Sequence, residues 1–157
     1  YQQYGVVPDI MTSAKGLGCG VAIGAVLASE KVASAIAPGD HGSTFGGNTF
    51  ACAVSLSAMR YMLAHDFSAI AKEKGAYLMN ALRGIESGKI VEVRGMGLLI
   101  GVQLVESCPA GALMRKLLEK GFVVGTAAGN VLRLAPPLII EPSELDAFIA
   151  ALKEVLA

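Results

Sequence analysis

The sequence predicts a mixed α/β chain: the closing part of an α/β domain, residues 1–85, followed by a small α+β domain, residues 86–157. Three observations carry this. Short apolar, β-branched runs bounded by glycine and proline occupy residues 5–34; helical patterns follow over 48–64 and 68–85; beyond Gly88, strand-like runs alternate with amphipathic helical ones.

Taken in order, Val6-Val7, Ile10-Met11-Thr12 and Val21 to Leu27 read as strand segments around the loop Lys15-Gly16-Leu17-Gly18-Cys19-Gly20, which places Lys15 at a strand end. From Asn48 to Ala64 apolar residues fall on every side (Phe50, Val54, Leu56, Met59, Leu63), the pattern of a fully buried helix with Asn48 or Thr49 as N-cap. Residues 68–85 put Ile70, Tyr77, Leu78, Ala81, Leu82 and Ile85 near one face and Lys72, Glu73 and Lys74 near the other, an amphipathic linking helix. Ile90 to Arg94, Leu98 to Leu104, Phe122 to Thr126 and Val131 to Leu134 read as strands, with Gly129-Asn130 turning the last two into a hairpin. Pro109 to Lys120 is a helix stopped by Gly121, and Pro142 to Leu156 a helix with proline in its first turn.

Composition excludes several classes. Thirteen acids balance thirteen bases and the bases are scattered, so nothing marks a nucleic-acid or anionic-lipid surface; the longest weakly polar run, Leu17 to Ala28, is too short to span a membrane. With 54% hydrophobic and 17% charged residues, much of the chain is expected to be buried against something. Cys19, Cys52 and Cys108 form no CxxC pair and have no metal spacing with His41 or His65, and read as reduced packing thiols of a cytoplasmic protein. The chain starts at Tyr1 without a signal-peptide pattern, which predicts a piece of a longer protein.

The glycine loop is not a nucleotide motif. Gly18-Cys19-Gly20-Val21-Ala22-Ile23-Gly24 is one residue longer than the dinucleotide fingerprint and lacks the Lys-Ser/Thr pair of a phosphate loop. A lysine just before such glycines is a different matter, because they let the backbone pass close to a flat ligand that the ammonium can reach. On pattern alone, Ser43-Thr44 could equally be a local turn capping the next helix, Arg133 a strand-end ion pair, His41 a structural histidine and Arg94 an architectural arginine.

Four stretches in order change that balance: Pro8-Asp9-Ile10-Met11-Thr12-Ser13-Ala14-Lys15-Gly16-Leu17-Gly18, His41-Gly42-Ser43-Thr44-Phe45-Gly46-Gly47-Asn48, Arg94-Gly95-Met96-Gly97-Leu98 and Val131-Leu132-Arg133-Leu134-Ala135-Pro136-Pro137-Leu138. Together they resemble the class III aminotransferases, nearest to those acting on N-acetylornithine, over essentially the whole chain. Cys19 stands where a glycine is common in that family, and Thr49 where a proline is common.

The resemblance implies the C-terminal part of a fold-type-I transferase dependent on pyridoxal 5'-phosphate. Lys15 would bind the cofactor as a Schiff base and shuttle the proton at the substrate Cα, since only an amine does both. Ser43 and Thr44 would reach the cofactor phosphate of the neighbouring subunit in a homodimer, and Arg133 would clamp a substrate carboxylate with its bidentate fork. The implied reaction moves an amino group from N-acetylornithine to 2-oxoglutarate in arginine biosynthesis, with ornithine, succinylornithine and 4-aminobutyrate as alternative donors. The aspartate that would hold the ring nitrogen, the phosphate loop and the stacking aromatic map to no residue here and are expected in a missing N-terminal part. The high apolar content keeps a second reading open, a non-catalytic packing module.

Overall fold

The computed structural model describes residues 1–157, which divide into two compact units, Tyr1–His65 and Asp66–Ala157. No helix is long and apolar enough to cross a membrane.

The first unit opens with a single 3-10 turn, Gln2–Tyr4, and a two-stranded antiparallel sheet. Strand β1 (Ile10–Ser13) pairs with β2 (Ala25–Ala28) in the register Ile10 to Ala28 through Ser13 to Ala25. Between them lies a second 3-10 turn, Lys15–Leu17. The end of β2 is tied back by Ser29, whose N–H donates to the Asp9 carbonyl at 2.8 Å and whose Oγ donates to the Asp9 carboxylate at 3.0 Å. A short helix α1 (Glu30–Ala33) follows, then α2 (Thr49–Ala64). Asn48 caps α2 by accepting from the Ala51 N–H at 2.9 Å.

The expectation that α2 is buried all round is not met. Ala51 and Ser55 are buried, whereas Phe50, Leu56, Met59, Tyr61 and Leu63 are exposed. A helix apolar on every side needs cover on every side, and these residues supply it along one stripe only. The strand expected over 21–27 also begins later, at Ala25.

The second unit is a four-stranded antiparallel sheet of β3 (Ile90–Met96), β4 (Leu99–Leu104), β5 (Gly125–Ala127) and β6 (Val131–Leu134), ordered β3-β4-β6-β5, with helices α3 (Phe67–Arg83), α4 (Ala110–Glu119) and α5 (Pro142–Leu156). Alternation along the strands sorts the two faces. Val93, Val102 and Leu132 pair across one row and Ile100 and Leu134 across the next; with Leu78 and Leu82 of α3, Leu113 and Leu117 of α4 and Leu145 and Leu152 of α5 they form the core. Helix α3 packs on β3 and α5, within the second compact unit. One glycine sets how closely α3 approaches: a Cβ on Gly75 would lie 2.1 Å from the Gly97 carbonyl oxygen in the β3–β4 turn.

Phe122 to Val124, expected in a strand, are irregular, and β5 is only its last part. Tyr77, expected on the apolar face of α3, is exposed and donates its hydroxyl to the Asp146 carboxylate on α5. Helix α5 begins with a capping box in which Glu141 and Glu144 satisfy each other's backbone, behind a proline in the first turn. The three cysteines are free, but only Cys108 packs against the core; Cys19 and Cys52 are exposed, so the reading of all three as packing thiols fails for two.

Candidate active site

Lys15 occupies an unusual backbone position. Its φ is 54°, in the left-handed region that non-glycine residues rarely adopt, and positive φ recurs further along the loop, at Cys19 (45°) and Gly20 (104°). The turn is closed by N–H groups of Leu17, Gly18 and Cys19 donating to the carbonyls of Ala14, Lys15 and Gly16 at 3.1 to 3.3 Å. Gly18, the one buried residue of the turn, has no room for a side chain: a Cβ there would lie 2.1 Å from the Val21 carbonyl oxygen. The 3-10 turn packs against α2. Thus strand β1, a tight glycine and a helix together fix the backbone of Lys15 while its side chain stays exposed, with no hydrogen bond or ion pair on its ammonium. Such a fixed yet unpartnered amine is free to react. The positive φ at Cys19 is one that glycine, common there in the resembled family, takes without strain.

Ser43 and Thr44 lie in an exposed turn just before α2, closed by the Gly46 N–H donating to the Ser43 carbonyl at 3.3 Å. Neither hydroxyl caps the helix, which is the role of Asn48. Ser43 folds back over the turn, so that a Cβ on Gly46 would come 3.0 Å from its Oγ, and the Thr44 hydroxyl has no partner. His41 is exposed and packs in no core.

Arg133 sits on β6 in a row that crosses the whole sheet on the face away from the core. Arg94, Gly101, Arg133 and Gly125 are register partners on β3, β4, β6 and β5 in turn. The two arginines differ in their partners. Arg94 donates to the Glu92 carboxylate at 2.6 Å and to Gln103 Oε1 at 3.4 Å, the architectural role expected for it. Arg133 is exposed and its guanidinium has neither hydrogen bond nor ion pair, which removes the strand-end ion pair. An exposed, always charged fork beside bare glycine backbone suits a carboxylate.

One residue of the second unit escaped the sequence reading. Asn130, with φ 61°, accepts from the Ala110 N–H at 2.6 Å and donates to the carbonyls of Leu104, Val105 and Cys108 at 3.3, 2.8 and 3.1 Å. It therefore ties the start of β6 to the end of β4 and caps α4, three residues before Arg133. The Gly129-Asn130 pair was a turn signal only; its partners 20 to 26 residues away left no local trace.

The first unit thus presents an exposed amine and a free hydroxyl, and the second an unpaired arginine on an open sheet face. The chain belongs to the class-III aminotransferases, whose family model matches residues 1–156. It is 45% identical to the acetylornithine aminotransferase of Methanocaldococcus jannaschii, with 99% of this chain and 39% of that protein covered. For the acetylornithine aminotransferase of Aquifex aeolicus the identity is 43%, with 99% and 40% covered. Among solved structures, an acetylornithine aminotransferase from Elizabethkingia anophelis superposes with a TM-score of 0.90 at 32% identity, covering 99% of this chain and 42% of that one. An S-selective transaminase from Arthrobacter sp. gives 0.93 at 28% identity, covering 99% and 40%. The chain therefore spans about 40% of the length of the curated relatives it matches.

Pyridoxal phosphate asks for an amine, phosphate donors and a carboxylate at its ring nitrogen. Lys15 fits the first and the Ser43-Thr44 turn the second. The third is assigned to no residue of this chain; Asp9 accepts from Ser29 and Asp40 from the Ala37 N–H at 2.7 Å.

Proposed function

We propose that this chain is the lysine-bearing C-terminal part of a pyridoxal-phosphate-dependent aminotransferase that moves an amino group from N-acetylornithine to 2-oxoglutarate, in the cytoplasm, as a homodimer. The observation that carries the reading is Lys15: an unpartnered amine held in a left-handed turn by a strand, a glycine without side-chain space and a helix.

Lys15 would hold the cofactor through Nζ. When bound, pyridoxal phosphate supplies a conjugated ring that takes up the electron pair left on Cα as its C–H bond breaks. Lys15 Nζ, so placed, would also move the proton at the substrate Cα, the role of a positioned general base. The Thr44 hydroxyl, with Ser43 beside it, would donate to the cofactor phosphate of the partner subunit. Arg133 would hold the substrate carboxylate through two parallel N–H bonds.

The identities above favour N-acetylornithine as donor. The test is transamination to 2-oxoglutarate by the complete enzyme that carries these residues, with N-acetylornithine, ornithine, succinylornithine and 4-aminobutyrate compared. N-acetylornithine is expected to give the highest kcat/KM and Lys15→Ala to abolish turnover with all four. Full turnover by Lys15→Ala would overturn the assignment, and a preference for 4-aminobutyrate would replace the substrate.

A further inference from the structure

Three glycines lie inside strands of the four-stranded sheet, and two have evident reasons to be glycine. A Cβ on Gly95 would lie 2.4 Å from the Leu99 carbonyl oxygen, and one on Gly101 3.1 Å from Val131 Cγ1. Gly125 has no such reason. Its φ is not positive, so any L-residue fits the backbone, and a Cβ there would meet nothing nearer than 3.5 Å. Glycine inside a strand weakens it and often marks a place where a ligand or another group comes close to the backbone.

The group beside Gly125 is Arg133. A Cβ on Gly125 would be 3.5 Å from Arg133 Nε and 3.8 Å from Nη2. Those two nitrogens form an edge of the guanidinium that presents two parallel N–H groups to both oxygens of one carboxylate, at about 2.8 Å. A methyl group at 125 would occupy space beside that edge. The sheet's other outward arginine offers no substitute, because Glu92 and Gln103 already hold Arg94.

We propose that Gly125 is a specificity-determining position of the Arg133 carboxylate site: its bare backbone keeps the Nε–Nη2 edge open to a carboxylate whose carbon skeleton runs over β5. Gly125 is a positioning residue, acting through Arg133, and the proposal rests on the reading of Arg133 as the carboxylate-binding group.

The test is a titration of the ¹⁵N-labelled chain with 2-oxoglutarate, following the Arg133 Nε–H resonance, with Arg115 on α4 as the reference for non-specific anion effects. Wild type is expected to show a saturable shift at Arg133 and not at Arg115. Gly125→Ala should weaken the apparent affinity about tenfold, the loss of one charge-assisted hydrogen bond, with a melting temperature at or above that of wild type. Unchanged affinity in Gly125→Ala, with Arg133 still responding, overturns the role of Gly125 and leaves that of Arg133 intact. A lowered melting temperature assigns the glycine to packing and overturns it as well. If the wild-type Arg133 signal does not respond at all, the carboxylate reading falls and this proposal with it.

Discussion

Residues 66–157 close a core of their own and residues 1–65 do not, yet Lys15 lies in the second of these. In the sheet unit, Leu82, Val102, Leu117, Leu132 and Leu152 are wholly buried between three helices and one face of the strands. In the amino-terminal unit only Gly18, Ala51 and Ser55 are buried, while Phe45, Phe50, Leu56, Met59 and Leu63 stand exposed. The lysine turn is held by local hydrogen bonds, a tight glycine and its packing on α2 rather than by a hydrophobic core.

The contrast is broken most forcefully in the sheet unit. Leu132→Ala should cost about 3 kcal/mol, the transfer free energy plus the cavity left in a core that cannot collapse. Leu63→Ala on α2, where 81% of the residue is exposed, should stay within about 0.5 kcal/mol. Denaturant unfolding of both variants, followed by a probe in each unit, checks the pair; equal costs would show that the first unit has a core of its own.

Next in size is Asn130→Ala, expected to cost about 2 kcal/mol because it removes the acceptor of the Ala110 N–H and a donor to three carbonyls, and because alanine tolerates φ 61° less well than asparagine. Asn130→Gly should recover part of the loss by relieving the backbone alone, so thermal melts of the two variants separate hub from turn. In the first unit, Asn48→Ala should cost about 1 kcal/mol, the value of an N-cap, and show as loss of helix at the start of α2 by amide exchange.

The smallest effect is a pH dependence. The Tyr77 hydroxyl is raised above its ordinary 10.0, first by the hydrogen bond to Asp146, then by desolvation and by the Asp146 charge. A group whose folded pKa is raised contributes stability that is fully present below the unfolded value and is lost as pH rises through the folded one. The stability difference between wild type and Tyr77→Phe should therefore be constant below about pH 9 and vanish above the raised value; a difference that grows with pH would contradict the hydrogen bond.

Elements whose cause is local were legible in the sequence. Pro142 to Leu156 emerges with the bounds expected from proline and a period of 3.6, and β1, the lysine turn and β2 follow from glycine punctuation. Three features with distant causes were not. The exposure of α2 depends on what covers it, the Asn130 network on carbonyls 22 to 26 residues away, and the attachment of α3 to the second unit on its contact with β3. Lys15, Thr44 and Arg133 take their roles from the family resemblance, and pattern alone leaves Thr44 and Arg133 with an ordinary explanation. What the structure adds is that Thr44 caps nothing and Arg133 pairs with nothing. Gly125 left a faint signal, a glycine inside a strand-like run, which acquires meaning only beside Arg133.

The central claim is that Lys15 is the amine that takes pyridoxal phosphate. It is tested most directly by incubating the chain with the cofactor, reducing with borohydride and mapping the modified peptide by mass spectrometry. The predicted result is one phosphopyridoxyl group, on Lys15, absent from Lys15→Ala. Modification spread over the surface lysines, with Lys15→Ala labelled as fully as wild type, would contradict it.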